Sequence, residues 1–190
     1  YRNLTPRVLA GRKQLLEGSQ VVVIDTNLPA ESIAWLADNC HAPIFADPVS
    51  TVKAEKLRPV LGKLHTLKPN RLEEELLSGV PITDTDSLHR AAQTLLETGL
   101  HRVFISLGAD GVYAADQSGS VTLPAPKAEM VSTTGCGDSF MAALTWAYLQ
   151  GSDLERSARA GLAASSLTME SAETIHPSMS ETELLRRMAL

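Results

Sequence analysis

The feature that most constrains the fold is a short apolar run, VVVID at Val21–Asp25, followed at once by a segment of helical period. An apolar stretch without polar alternation, ending in a carboxylate, reads as a strand buried on both faces. The segment after it, Ala30 to Asn39, sets Ile33, Leu36 and Ala37 on one face, with Pro29 near its start. The couplet recurs. PIFAD (Pro43–Asp47) and Leu64–Leu67 read as further strands, separated by a helical stretch from Val52 to Leu61 that Gly62 stops. RLEEELLSG predicts a helix closed by Gly79, and Asp86–Thr98 another that ends at Gly99. Arg102–Leu107 (RVFISL) is a fourth buried strand, running into Gly108, and Val112–Ala115 with Val121–Leu123 form a meander. Helices to about Gln150, from Asp153 to about Met169, and from Ser180 complete the chain.

This alternation predicts an α/β fold, a three-layer α/β/α sandwich around a mostly parallel sheet, because a parallel crossover needs a connection of helix length. With no internal repeat, low-complexity tract or linker, residues 1–190 read as a single domain. In such sheets ligands sit beyond the carboxyl ends of the strands. Asp25, Asp47, Lys68-Pro69-Asn70 and Gly108 all fall at those ends, so polar residues gather along one edge.

Composition removes several classes of function. A net charge of −5 and the lack of any Lys/Arg run exclude the basic face that a nucleic-acid partner requires. No apolar run approaches the ~20 residues of a bilayer span, so no membrane association is expected. The opening YRNLTPRVLAGRKQLLEG is too polar for a signal peptide. Cys40 and Cys136 match neither a zinc spacing nor a disulfide framework, and the five histidines are scattered. Reduced thiols in a cytoplasmic protein are expected. The chain opens at Tyr1 inside a helical pattern, as an expression product, a proteolytic product or a subdomain does.

The stretch VSTTGCGDSFMAAL (Val131–Leu144) is polar for half its length and then abruptly apolar. Gly135-Cys136-Gly137 lets the backbone curl with its N–H groups outward, and the helix that follows adds open amides and the positive end of its dipole. Together they suit an anion, most naturally a phosphate. No Lys follows the glycines, so this is no Walker loop. With G-x-G and no third glycine it is no dinucleotide fingerprint, and none follows the VVVID strand, which argues against a nicotinamide-dependent dehydrogenase. A pure phosphate cradle would avoid the carboxylate of Asp138. It makes sense as a base taking a proton from an attacking hydroxyl, or else as an ordinary first-turn acid or N-cap.

Two further segments carry similar pairs of readings. In LKPNRLEEELLSG, Asn70 and Glu73 form a capping box, or face the edge where a Mg²⁺-bound nucleotide lies. Glu74 and Glu75 read as the solvated face. In ISLGADGVY, Ser106, Gly108 and Gly111 form a plain β-turn, or line nucleotide phosphates.

Taken in order, these motifs resemble the ribokinase-like (PfkB) sugar kinases. The family's C-terminal signature reads roughly D-T-T-G-A-G-D-S-F, against STTGCGDSF here; KPNRLE resembles its KPNxxE segment, and SLGADGV its T-L-G-x-x-G-V turn. The resemblance covers essentially the whole chain. AWLADN, FADPVSTVKAEKLR and HTLKPNRLEEELLSG are most similar to members that act on pseudouridine.

The resemblance implies transfer of phosphate from ATP, with Mg²⁺, to a hydroxymethyl group on a small-molecule nucleoside or sugar. Asp138 would deprotonate that hydroxyl, and the amides of Gly135, Cys136 and Gly137 would form the anion hole. Asn70 and Glu73 would organise Mg²⁺ and the phosphates, Glu73 through water. Ser106, Gly108 and Gly111 would contact ATP, with the adenine between that turn and the helix of Asp153–Met169. Ser132 replaces an acidic residue that helps the family hold a monovalent cation, which removes that ligand for K⁺. Cys136 replaces the usual Ala, leaving the amide in place. The family's N-terminal half, with its glycine-rich sugar signature, first strands and β-strand lid, has no counterpart here. The acceptor site is therefore incomplete, and a sheet edge stands open to association, a homodimer included. Two readings follow: the catalytic half of a kinase, or a nucleotide-binding module without catalysis of its own.

Overall fold

The computed structural model describes residues 1–189. In chain order the elements are α1 (Pro6–Ala10), α2 (Lys13–Glu17), β1 (Val22–Asp25), α3 (Ala30–Asn39), β2 (Ile44–Asp47) and α4 (Thr51–Ala54), then a 3₁₀ helix (Glu55–Lys63). They continue with β3 (Thr66–Leu67), α5 (Arg71–Ser78), α6 (Thr85–Leu96), β4 (Arg102–Ser106), β5 (Val112–Asp116) and β6 (Gly119–Leu123). The helices α7 (Cys136–Leu149), α8 (Leu154–Met169) and α9 (Glu181–Met188) follow. The contacts gather into two compact units, Tyr1–Ser106 with Ala115–Gly119, and Leu107–Ala114 with the chain from Ser120 onward.

The sheet takes its strands in chain order, β1-β2-β3-β4-β5-β6. β1 to β4 pair in parallel, with Val22 opposite Ile44, Phe45 opposite Thr66, and Thr66 opposite Arg102. Each of these crossovers is helical, as parallel pairing requires. The first unit's core lies under these strands, where Phe45, Leu67, Phe104 and Ile105 are buried. On α6, Leu88, Ala91, Ala92, Leu95 and Leu96 recur at helical spacing and are all buried.

Helix starts follow from capping chemistry. The side chains of Asn70, Asp84, Asp153 and Ser180 each accept a hydrogen bond from the amide three residues on. Each cap satisfies a donor that the first turn leaves open. Gly79, at φ 73°, closes α5 in the left-handed conformation.

Three expectations are corrected. β1 is not buried on both faces: Val23 is 49% exposed. Among the described residues it is the first strand of the sheet, with β2 as its one strand neighbour, so an apolar run here does not mean two-sided burial. Gly62 does not stop a helix, for it lies within the 3₁₀ segment. A Cβ there would sit 2.0 Å from the Thr98 carbonyl oxygen, so glycine is needed for the close approach of two backbones.

The third correction concerns α5. Glu74 is wholly buried rather than solvated, and neither of its carboxyl oxygens has a hydrogen-bond partner among the described residues. Glu75 accepts from the Ile82 amide at 2.7 Å. Burial pushes the Glu74 pKa from 4.5 up to about 8, so the folded chain retains its proton at neutral pH. The stability that this group carries is fully present below about pH 4.5 and is lost as pH rises through about 8. Glu74→Met, which keeps the length and removes the polar atoms, should stabilise the chain at pH 8 by about 1–3 kcal/mol. Urea denaturation at pH 5 and pH 8 measures this, with the larger gain at pH 8.

Candidate active site

In the first unit, parallel register brings the ends of the strands together. Asp25 stands opposite Asp47, and Asn70 forms a parallel bridge with Ser106. The Ser106 amide donates to the Pro69 carbonyl at 2.9 Å. Lys68 Nζ lies 2.9 Å from Asp47 Oδ2, with side chains only 8% and 18% exposed. The other oxygen of Asp47 accepts from the Val49 amide at 2.9 Å. Val49 has φ 63°, a strained conformation for a β-branched residue. The Thr26 hydroxyl donates to the Pro48 carbonyl and pins the same turn.

Asn70 and Glu73 form a full capping box. Asn70 Oδ1 accepts from the Glu73 amide at 3.0 Å, and Glu73 Oε2 accepts from the Asn70 amide at 2.8 Å. Glu73 is 3% exposed. Burial pushes its pKa up, against the pull of the Asn70 amide; Asp47 raises it further and Lys68 opposes that. Among the described residues no group of three or more His, Cys, Asp or Glu could cage a metal ion. One carboxylate with one oxygen already committed fits a Mg²⁺ that keeps its waters and binds through them and through phosphate.

In the second unit, α7 opens on Gly135, at φ 85° and with no side-chain cap. A Cβ on Gly135 would meet the Thr174 carbonyl oxygen at 2.2 Å. The Cys136 amide makes a long 3.3 Å bond to the Thr133 carbonyl, and Ser139 donates to the Gly135 carbonyl at 2.9 Å. Among the described residues the amides of Gly137 and Asp138 have no acceptor. Asp138 is exposed and sits in the first turn, so it is not the N-cap. Open amides and an exposed carboxylate thus share one helical turn.

The turn at Gly108 (φ 64°) and Gly111 (φ 100°) belongs to this unit. A Cβ on Gly111 would lie 2.0 Å from the Leu123 carbonyl oxygen, so the turn packs directly on Leu123–Ala125. Beside it a cleft of about 600 Å³ is lined by Leu123, Pro126, Lys127, Leu162, Arg187 and Met188, among others. Arg187 in its wall is held by Glu170 through two hydrogen bonds of 2.9 and 2.7 Å.

The family described as pfkB family carbohydrate kinase matches residues 9–182. The chain belongs to that family. It is 37% identical over 179 residues to pseudouridine kinase of Escherichia coli K12, covering 93% of this chain and 57% of that protein. It is 28% identical over 169 residues to ribokinase of Staphylococcus aureus, covering 88% and 56%. The crystal structure of ribokinase from Thermotoga maritima superposes with a TM-score of 0.86 at 23% identity, covering all of this chain and 62% of that one. This likeness is one of fold. The chain spans about half the length of the curated relatives that it matches.

The pfkB motifs quoted from the sequence therefore fall into two clusters, each within one unit. Asn70, Glu73 and Ser106 meet in the first; Gly135, Cys136, Gly137 and Asp138 share a turn in the second, which also holds the Gly108–Gly111 turn. Sequence reasoning passed over the Lys68–Asp47 pair, the Glu170–Arg187 pair, and the α8 hydroxyls of Ser165 and Thr168. Ser165 and Thr168 were visible as polar residues three apart in the small-residue run GLAASSLTM.

Gly135→Ala tests the turn. The added methyl meets backbone and the positive φ disfavours it, so Mg·ATP binding should weaken at least about tenfold, as for a displaced site. Calorimetry reads this directly; unchanged affinity would show that the turn holds no anion.

Proposed function

We propose that this chain carries the nucleotide-binding and proton-accepting half of a pfkB carbohydrate kinase. The reaction is ATP plus a hydroxymethyl group giving ADP and the phosphate ester, with a nucleoside or sugar as acceptor. Pseudouridine, giving pseudouridine 5′-phosphate, is the favoured substrate, on the 37% identity to an enzyme of that name. The observation that carries the reading is the first turn of α7, where free amides of Gly137 and Asp138 adjoin an exposed carboxylate.

The chemistry follows from that turn. Amides with no acceptor among the described residues give up no protein hydrogen bond when an anion arrives, so the turn can receive the anionic phosphoryl group as its charge redistributes. The Asp138 carboxylate takes the proton from the acceptor hydroxyl as its oxygen attacks the γ-phosphorus and the bond to the β-phosphate oxygen breaks. The Cys136 amide joins the anion hole by giving up a long bond to Thr133. Gly135 supplies the left-handed corner that aims the turn. The base of ATP is assigned to the cleft walled by Leu123, Leu162 and Met188, next to the Gly108–Gly111 turn.

In the first unit, Asn70, Glu73 and Ser106 are assigned to the phosphates and Mg²⁺. When bound, Mg²⁺ neutralises phosphate charge. Glu73 would hold it through water, because its Oε2 is committed to the Asn70 amide. Lys68, kept in place by Asp47, adds a fixed positive charge at the same strand ends.

A second reading, nucleotide binding without independent catalysis, is favoured by the chain's covering only 57% of that pseudouridine kinase. Two measurements bear on these readings, one on a variant and one on the parent chain. Asp138→Asn should cut turnover by at least about a hundredfold, the scale of a lost general base, while Mg·ATP affinity changes little. Near-normal turnover would sink the role of Asp138. No ADP release from the parent chain with any nucleoside or sugar, despite Mg·ATP binding, would favour the second reading.

A further inference from the structure

The end of α8 is built to hold the first turn of α7. Gly161, Ser165 and Thr168 recur at spacings of four and three, which places them on one stripe of the helix. Each meets a residue of α7. A Cβ on Gly161 would lie 2.4 Å from the Phe140 ring, so its absence seats that ring. Ser165 Oγ donates to the Cys136 carbonyl at 2.8 Å, and the Cys136 thiol reaches back to the Ser165 carbonyl at 3.6 Å. Thr168 Oγ1 and Ser139 Oγ lie 2.6 Å apart, one hydroxyl donating to the other. The Met169 carbonyl accepts from the amides of Val131 and Ser132, at 3.0 and 3.1 Å, where the signature loop begins.

These anchors matter because the turn they hold has little stiffness of its own. It starts on one glycine, includes another at Gly137, and lacks a side-chain cap. Packing alone would need only apolar atoms of the right size. Thr168 is wholly buried, yet the bond it makes is polar and directional, and it ends on the neighbour of Asp138. We propose that Ser165 and Thr168 are positioning residues for phosphoryl transfer, fixing through Cys136 and Ser139 the orientation of the α7 amides and of the Asp138 carboxylate. This rests on the kinase reading of that turn.

The test uses the 190-residue chain and Mg·AMP-PNP, a nucleotide that cannot transfer its phosphoryl group. Thr168→Val preserves shape and removes the hydroxyl; Thr168→Ser preserves the hydroxyl and trims a methyl. At a temperature where circular dichroism shows all variants folded, Thr168→Val should weaken binding about tenfold, the scale of a misplaced site. Thr168→Ser should remain within about twofold of the parent. A purely structural role would lower the melting temperature of Thr168→Val and leave its affinity untouched, and that outcome overturns the proposal. So does a loss in Thr168→Ser equal to that in Thr168→Val. Should Thr168→Val not fold, Ser139→Ala removes the same bond from the α7 side, and the same contrast decides. If the parent chain binds no Mg·AMP-PNP, the anion reading of the α7 turn falls, and the positioning role with it. A parent that binds, with an unaffected Thr168→Val, removes the positioning role alone.

Discussion

Parallel pairing obliges successive strands to finish at the same edge, and the first unit is arranged by that obligation. Once Asp25 is opposite Asp47 and Asn70 is bridged to Ser106, residues far apart in the chain share one rim. The helices that carry the crossovers must then begin beside that rim. α5 does so with the Asn70–Glu73 box, a capping device whose members also face the place where strands of this kind meet ligands. The two readings of Asn70 and Glu73 are therefore compatible. The cap holds each side chain in one conformation, and a fixed conformation is what a water-mediated metal contact requires.

The second unit reaches a similar end by a different route. A glycine-rich helix opening gains access for its amides by giving up stiffness and the side-chain cap that α5, α6, α8 and α9 possess. α8 restores the stiffness from outside, with hydroxyls and a carbonyl in place of a cap. The Gly108–Gly111 turn shows the same economy. Gly111 allows the start of β5 to lie on the backbone of Leu123–Ala125, and those three residues also line the cleft.

Much of this was legible in the residues. The order of strands and helices followed from apolar runs and helical periods, and α3 begins and ends where the pattern of Ala30–Asn39 places it. The three motifs carried the family. The misses have a common cause: local pattern carries no information about what lies opposite. Val21–Asp25 reads as doubly buried, but whether a strand has a neighbour on each side is a property of the sheet. RLEEELL offers three successive acids, and only packing decides that Glu73 and Glu74 are both buried while Glu75 is half-buried. Ser165 and Thr168 gain meaning only once α7 is laid against them.

Gly62 illustrates what such hidden contacts imply for variation. It belongs to no motif and lines no site, yet its α-carbon lies so near the Thr98–Gly99 backbone that any side chain would displace a carbonyl. The displaced turn leads through Leu100 and His101 directly into β4, whose last residue is Ser106. Sequence drift at this position is thus limited by the main chain of another loop. A survey of tolerated substitutions would find Gly62 as intolerant as a motif glycine, with no ligand to account for it.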